Sequence, residues 1–394
     1  MSELVSYQRL LDMALPSKQS AFLWGARKTG KSTFLQKRFP NSLRYDLLQS
    51  DLFFRLLKEP HLLREELIQI NPEKLKYPVI IDEIQKIPAL LNEIHWLIEN
   101  KNIQFILCGS SARQLKREHA NLLGGRAWRY ELYPLCAKEI PDFNLVRALN
   151  QGLIPSHYLS TNYKKSLKAY VQDYLKEEIR AEGLARNLPA FSRFLDSAAY
   201  SQGELVNFSN IARECGVDSK TVREYYEILQ DTHLGYLIEP YRNKKSRQIL
   251  TETSKFYFFD TGLANFLTKN TIQELRGEAA GRSFEHWILL ELLACRSYKE
   301  LDFNISYWRT KSGLEVDFIL GSPAVPVEVK VSDKIYKEDL KGLIAFIDEY
   351  HPPKALVVCN EKRARKITLA SQETIEILPW KEFLEQLWVG TPFV

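Results

Sequence analysis

The sequence predicts an α/β protein of three domains. Over residues 1–150, continuous apolar runs alternate with amphipathic stretches, a pattern typical of a parallel sheet flanked by helices. Residues 151–254 have a mostly helical pattern, and residues 255–394 contain a helix, several strand-like segments and a second helix. The chain of 394 residues is too long for one ordinary core and has no low-complexity linker, so we expect the domains to pack on one another.

The composition is that of a globular protein. Hydrophobic residues make up 45% of the chain and charged residues 26%, which excludes a disordered chain. The five cysteines form no Cys-x-x-Cys pair, which argues against disulfides or a zinc site and favours a reducing cytoplasm. A net charge of +5 is only mildly favourable for polyanionic partners. The N-terminus does not resemble a signal peptide, and no stretch approaches the ~20 apolar residues of a membrane span. We therefore expect a soluble, cytoplasmic protein without a membrane partner.

A glycine-rich loop follows the first apolar run. Residues 25–32 read GARKTGKS and match G-x-x-x-x-G-K-[ST] between a strand-like and a helical segment; a chance match in such a chain is on the order of one in a hundred. Glycines let backbone N–H groups face phosphates, Lys31 reaches the β- and γ-phosphates, and the Ser32 hydroxyl ligates Mg²⁺. We therefore expect ATP and Mg²⁺ here. The predicted nucleotide-binding residues are Gly25, Ala26, Arg27, Lys28, Thr29, Gly30, Lys31, Ser32 and Thr33.

Two further apolar runs end in polar residues. Residues 79–81 lead into Asp82 and Glu83, the arrangement of a Walker B strand. Asp82 would hold Mg²⁺ through water, and Glu83 would polarise the attacking water as general base. Residues 105–107 lead toward Ser110, a candidate γ-phosphate sensor, although a turn of small residues explains the segment equally well. Together with the loop, these segments predict hydrolysis of ATP.

Arg126 is a candidate arginine finger. It follows a glycine pair that would present its guanidinium at the surface, where it could reach the γ-phosphate of a neighbouring subunit in a homo-oligomer. Arg113 and Arg129 compete for this role, and a solvated surface arginine is the alternative.

The chain resembles a family of prokaryotic AAA+-type P-loop ATPases. The C-terminal half of these proteins carries an uncharacterised domain with a restriction-endonuclease-like core. The resemblance covers nearly the whole chain, and it implies an ATPase domain followed by such a nuclease-like fold. The segments that carry it are GARKTGKST, VIIDEIQK, GSSAR, LLGGRAWRYELYPL, GLIP at 152–155, residues 205–229, KFYFFDTG at 255–262, and residues 315–330.

The middle domain contains a helix-turn-helix pattern. Residues 208–215 form one amphipathic stretch, Gly216 begins a tight turn, and residues 219–230 form a second stretch capped by Asp218 or Ser219. Such a winged-helix-like domain could contact DNA from the start of its second helix. Residues 213–247 carry seven Lys or Arg against six Asp or Glu, so docking within the protein is an alternative. The basic run at 242–247 is a further candidate for phosphate contact.

Carboxylates and a lysine mark two strand-like segments of the C-terminal domain. Asp317 lies in LEVDFIL, and Glu328 and Lys330 lie in PVEVKV, where alternation places them on one face. Pairing these strands would bring two carboxylates together for Mg²⁺ or Mn²⁺, with the lysine near an attacking water and Glu285 completing the set. The pattern resembles the PD-(D/E)xK nuclease signature, although Val316 replaces the proline. A merely amphipathic strand, or a nuclease fold without catalysis, is the alternative.

The predicted fold is thus a P-loop parallel-sheet ATPase domain, a helical winged-helix-like domain and an α/β restriction-endonuclease-like domain. These favour a Mg²⁺-dependent ATPase coupled to a nuclease-like domain, acting on or recruited to DNA or RNA. An ATP-controlled switch whose C-terminal fold binds without cleaving is the second hypothesis, and a remodeller of protein partners is the third.

Overall fold

The computed structural model describes residues 7–113, 115, 123–175, 187–242 and 253–390. The chain divides into two compact units. The N-terminal unit comprises Met1–Leu135, Ile154–Ser156 and Glu227–Leu234, and the C-terminal unit comprises Cys136–Leu153, His157–Tyr226 and Gly235–Val394. The three-domain division at residues 150 and 254 stays a prediction.

The N-terminal unit is built on a parallel sheet. Among the described residues its strands pair in the order β2-β3-β4-β1-β5, and each neighbouring pair is parallel. The three apolar runs predicted from the sequence are the interior strands β1, β3 and β4, whose apolar side chains are buried. The predicted parallel sheet is therefore confirmed. The strands are β1 (Ser20–Trp24), β2 (Arg44–Asp46), β3 (Val79–Asp82), β4 (Phe105–Cys108) and β5 (Ala127–Glu131).

Helices cover this sheet through apolar side chains. Leu56, Leu67 and Ile94 from three of the helices share one buried core with strand residues such as Ile81 and Leu107. Such a core fixes the strand ends against the helices. The helices are α1 (Lys31–Arg38), α2 (Ser50–Lys58), α3 (Leu62–Gln69) and α4 (Leu90–Lys101), with 3₁₀ turns at Pro72–Lys76 and Ile84–Lys86.

The middle of the chain is helical and ends in a strand pair. The two helices predicted around Gly216 are present: the Asn207 side chain accepts a hydrogen bond from Asn210 N at the first, and Asp218 accepts from Thr221 N at the second. Gly216 lies between them with φ 67°, a conformation that glycine adopts without strain. The elements are α5 (Leu145–Gln151), α6 (Pro155–Tyr158), α7 (Tyr163–Ala169), a π-helix at Tyr170–Leu175, α8 (Leu188–Tyr200), α9 (Phe208–Cys215), α10 (Ser219–Asp231), and the antiparallel β6 (Gly235–Ile238) and β7 (Lys255–Phe258).

The last part of the chain forms a mixed sheet with helices. Its described strands pair in the order β12-β13-β11-β10-β9-β8; β10, β11 and β13 are parallel, and the other pairs are antiparallel. From α12 to β11 the order is helix, three strands, helix and strand, which agrees with the helix, strand-like segments and second helix predicted for residues 255–394. The elements are α11 (Thr261–Leu267), α12 (Gly277–Tyr298), β8 (Ile305–Arg309), β9 (Glu315–Leu320), β10 (Val325–Lys330), α13 (Lys341–Tyr350), β11 (Ala355–Cys359), β12 (Arg365–Thr368), β13 (Thr374–Pro379) and α14 (Trp380–Val389).

Two global features of the described residues bear on the class of protein. No helix among them is both long enough and apolar enough to cross a bilayer. The five cysteines carry free thiols and are buried.

Candidate functional site

The Walker segments and the candidate sensor meet at one edge of the N-terminal sheet. Because β1, β3 and β4 are parallel neighbours, their carboxyl ends lie side by side, with Asp82 paired to Cys108 and Leu23 also paired to Cys108. The loop after β1, the acidic pair after β3 and Ser110 after β4 therefore converge. In open parallel sheets this edge is where ligands bind.

The loop after β1 needs its glycines. Gly25 has φ 146°, and a Cβ on it would lie 2.4 Å from the carbonyl oxygen of Leu132. Gly30 has φ 95° and directly precedes α1, so the loop leads into the N-terminus of this helix, where backbone N–H groups can face an anion. Thr29 braces the turn by donating from its hydroxyl to the Ala26 carbonyl at 2.8 Å.

Lys31 lies inside this loop. Its side chain is 6% exposed, and its ammonium donates to the carbonyls of Gly25 at 2.7 Å and Ala26 at 3.0 Å. The positive charge of Lys31 therefore lies beside the backbone turn that surrounds the phosphates in a P-loop. Of the other predicted nucleotide-binding residues, Lys28, Ser32 and Thr33 are exposed.

Ser32 and Asp82 form the candidate magnesium site. The Ser32 hydroxyl donates to Asp82 Oδ2 at 2.6 Å, although the two residues are fifty positions apart in the chain. A hydroxyl and a carboxylate at this separation suit one Mg²⁺ that is ligated directly by the serine and held through water by the aspartate. The residues present therefore fit the ion.

Glu83, the candidate general base, is held in an uncommon backbone conformation. It has φ 59° and is 8% exposed. A non-glycine residue with a left-handed backbone costs free energy and is enriched at functional sites. Its carboxylate accepts a hydrogen bond from Gln85 Nε2 and lies 3.8 Å from the Arg27 guanidinium.

Gln85 connects the candidate base to the candidate sensor, and it was not predicted from the sequence. The same Nε2 that donates to Glu83 also donates to Ser110 Oγ at 3.1 Å, and all three side chains are buried. The feature of the sequence that could have indicated Gln85 is its position two residues after Glu83, within the segment VIIDEIQK. A neutral amide, however, does not stand out in a sequence as a carboxylate does.

Arg126 lies at the opposite edge of the sheet. It directly precedes β5, whose first residue, Ala127, pairs with Ser20 at the start of β1. A five-residue strand spans about 16 Å, so the guanidinium is out of reach of the loop after β1 in its own chain. It contacts the Glu99 carboxylate and donates to the Gly124 carbonyl at 3.1 Å. Its role as a finger in a neighbouring subunit stays a prediction.

A second candidate site is a cleft of about 540 Å³ in the C-terminal unit, which we call the acidic cleft. Asp317 on β9 and Glu328 and Lys330 on β10 line it, together with Glu285 from α12. Asp317 Oδ2 accepts from the backbone N–H of Val329 at 2.7 Å, which fixes it beside β10. The structure thus brings together the four residues predicted for this site.

The electrostatics of the acidic cleft are those of buried like charges. Burial, followed by the charge of Asp317, raises the pKa of Glu328 to about 8 and the pKa of Glu285 to about 7. Lys330 contacts Glu328 Oε1 at 2.6 Å, while Glu328 Oε2 is buried without a hydrogen-bond partner among the described residues. Such an orphaned oxygen costs free energy unless a ligand or proton satisfies it.

Two residues that contact carboxylates of the cleft were not predicted. Tyr257 donates from its hydroxyl to Glu285 Oε1 at 2.5 Å, and the buried Lys255 contacts Glu315 and lies 3.7 Å from Glu285. Both come from β7, outside the nuclease-like sequence pattern. Glu285 is therefore engaged by these side chains. Over the residues that the structure describes, no group of three or more His, Cys, Asp and Glu is placed to hold a metal.

Three family models match consecutive parts of the chain between residues 17 and 383. The family model described as an AAA domain matches residues 17–141. Two models described as domains of unknown function, DUF8612 and DUF4143, match residues 143–274 and 280–383.

Two related chains are described as uncharacterised proteins. An uncharacterised protein of Methanocaldococcus jannaschii is 24% identical, over 95% of this chain and 90% of its own length. One of Haemophilus influenzae is 23% identical, over 76% of this chain and 83% of its own length. Among solved structures, a Walker-type ATPase of Pyrococcus abyssi is 15% identical with a TM-score of 0.40, covering 63% of this chain and 90% of the other.

The class of the N-terminal domain follows from the AAA domain match and the geometry of its site. Together they support an AAA-type P-loop ATPase domain that binds a nucleoside triphosphate, normally with Mg²⁺.

Proposed function

We propose that this chain is a Mg²⁺-dependent ATPase coupled to a restriction-endonuclease-like domain that acts on nucleic acid. The observation that carries the nuclease-like part is the acidic cleft, where Asp317, Glu328 and Lys330 converge on the two strands β9 and β10. Two carboxylates and a lysine on adjacent strands are the groups that phosphodiester hydrolysis with a bound metal requires.

In the ATPase site we assign a separate chemical role to each residue. Lys31 balances charge on the β- and γ-phosphates, and Ser32 with Asp82 would hold Mg²⁺. When bound, Mg²⁺ would supply further charge neutralisation to the phosphates. Glu83 accepts the proton of the attacking water, because it is the buried carboxylate next to Asp82. Gln85 orients Glu83 and joins it to Ser110, so that one amide fixes both the base and the γ-phosphate sensor.

In the acidic cleft, Asp317 and Glu328 would hold one Mg²⁺ or Mn²⁺. The unpartnered Glu328 Oε2 fits such an ion, because a buried carboxylate oxygen needs a cation or a donor. Lys330, 36% exposed at its side chain, is the group placed to orient an attacking water. Glu285 stabilises the cleft by its contacts with Tyr257 and Lys255.

The middle helices support a winged-helix-like domain. Three helices, α8 to α10, precede the antiparallel pair of β6 and β7, which is the element order of that fold. At the start of α10, Lys220 is exposed, whereas the Arg223 guanidinium lies 4.1 Å from the centre of the Phe208 ring. Lys220 is therefore the better nucleic-acid contact. Most of the basic run at 242–247 lies outside the described residues.

A homo-oligomer is part of the proposal. Because Arg126 lies at the far edge of its own sheet, its guanidinium can assist hydrolysis only in a second copy of the chain.

Two assays on one protein preparation test this function. ATP turnover is measured alone and with single- or double-stranded DNA or RNA, and cleavage of the same nucleic acids is measured in Mg²⁺ and Mn²⁺. We expect stimulated turnover with at least one nucleic acid and cleavage that disappears in Asp317→Asn. Turnover without stimulation and without cleavage of any of them would refute the proposed coupling.

A second function is favoured by one observation. Lys255, Lys330 and Arg309 already face the carboxylates of the acidic cleft, which therefore lacks the strong excess negative charge typical of a metal site. An ATP-controlled switch, in which the C-terminal domain binds a partner without cutting, would leave the cleft in this neutralised form. Binding of nucleic acid without metal-dependent cleavage would favour the switch.

A further inference from the structure

Lys255 is a fixed cation of the acidic cleft. It comes from β7, is 2% exposed, and contacts the Glu315 carboxylate. It also lies 3.7 Å from Glu285 Oε1 and 5.3 Å from the centre of the Tyr307 ring. A buried ammonium persists only where opposite charges and hydrogen bonds compensate the loss of water. The carboxylates of Glu285 and Glu315 provide that compensation.

The oxygens that remain for a metal belong to Glu328 and Asp317, which Lys255 does not contact in an ion pair. Glu328 is 5% exposed and its Oε2 has no hydrogen-bond partner among the described residues, while its Oε1 is held by Lys330. Asp317 lies next to it, fixed by the backbone N–H of Val329. One divalent ion can therefore use Glu328 Oε2 and Asp317 without displacing a lysine.

We infer that Lys255 occupies the place of a second divalent ion, so that the acidic cleft binds one metal ion rather than two. The inference rests on the proposed nuclease-like function of the cleft. Two-metal sites hold their ions about 3.5–4 Å apart between shared carboxylates. Here the carboxylates that a second ion would need, Glu285 and Glu315, are already engaged by an ammonium.

The charge of the cleft leads to the same stoichiometry. Its buried and half-buried carboxylates are Glu285, Glu315, Asp317 and Glu328, and the cations that contact them are Lys255, Lys330 and Arg309. With all groups ionised, one net negative charge remains. A single divalent ion reverses this to one positive charge, whereas two ions would leave three positive charges in a largely buried site, which is unfavourable.

The test counts Mn²⁺ ions by isothermal titration and by loss of the free-ion EPR signal. The parent protein carries Lys31→Ala and Asp82→Asn and is studied without nucleotide, so that the ATPase site contributes no ion. We expect one Mn²⁺ per chain, lost on adding Asp317→Asn. Zero ions would overturn the metal site of the proposed function together with this inference, whereas two ions in the parent would overturn only the role of Lys255.

The matched variants are Lys255→Met and Lys330→Met in the same parent. Each keeps an aliphatic side chain and removes one ammonium of the cleft. We expect two Mn²⁺ per chain in Lys255→Met, with a larger rise of Tm on adding Mn²⁺, and one in Lys330→Met. One ion in a folded Lys255→Met protein would contradict the inference. If that variant does not fold, the count in the parent still decides, because it requires no change at Lys255.

Discussion

Replacing Gln85 with leucine tests whether the amide orients the catalytic base. The buried Gln85 Nε2 donates to both Glu83 and Ser110, and leucine has a similar volume but no donor. A hydrogen bond to a charged group contributes about 1.5–3 kcal/mol, and 1.36 kcal/mol corresponds to a tenfold change in rate. We therefore expect kcat to fall by about 10- to 100-fold, less than the loss from removing the base itself, with KM for ATP nearly unchanged because no phosphate contact is lost.

The assay is steady-state ATP turnover with Mg²⁺, and Gln104→Leu is the matched control. Gln104 directly precedes β4, at the end of the sheet where the strands begin, and its amide donates to the carbonyl of Gln19 at 2.6 Å. The same chemical change there should leave kcat within about twofold of wild type, since it is remote from the base. Wild-type kcat in Gln85→Leu, or an equal loss in both variants, would refute the proposed orientation of Glu83 by Gln85.

Three further predictions follow from the two units. Lys31→Ala should abolish or greatly weaken nucleotide binding, measured with a fluorescent ATP analogue, whereas Glu83→Gln should retain ATP and lose about 10²–10⁴-fold in kcat; unchanged turnover in Glu83→Gln would contradict its role. Mixing Arg126→Ala with Lys31→Ala chains should restore part of the turnover, and a monomer that hydrolyses ATP at full rate would exclude a finger from a second chain. Burial raises the pKa of Glu291 from 4.5 to about 7. Protonated Glu291 therefore stabilises the folded state below pH 4.5, and the free energy of unfolding should fall by on the order of 3 kcal/mol as the pH rises through 7. Glu291→Gln should lack that loss in urea unfolding followed from pH 4.5 to 8, and parallel pH profiles would contradict it.

The sequence predicted those parts of the fold that local patterns determine. The apolar runs in β1, β3 and β4 are continuous because these strands are buried on both faces, and continuous runs are conspicuous. The edge strands β2 and β5 were not predicted, since Arg44–Asp46 and Ala127–Glu131 are short or largely polar. Their pairing depends on neighbours elsewhere in the chain.

The residues of the two candidate sites were likewise predictable only where a local sequence pattern determines them. Gly25 to Ser32 form a motif because successive backbone groups surround one ligand, so the spacing is fixed locally. Lys255 precedes Asp317 by sixty-two positions, and its place in the acidic cleft depends on the packing of β7 beside β9. The spacing of residues along the sequence does not indicate such a tertiary contact. An ammonium that is buried by tertiary packing therefore looks like any other lysine in a sequence.

The proposed coupling of ATP hydrolysis to action on nucleic acid is tested by ATP turnover of the wild-type chain and Glu83→Gln. Each is measured alone and with single- and double-stranded DNA and RNA. We predict Mg²⁺-dependent turnover that at least one nucleic acid stimulates and that Glu83→Gln loses in every condition. Turnover that no nucleic acid changes would contradict the proposed coupling, and turnover that persists in Glu83→Gln would contradict the role of Glu83 as general base.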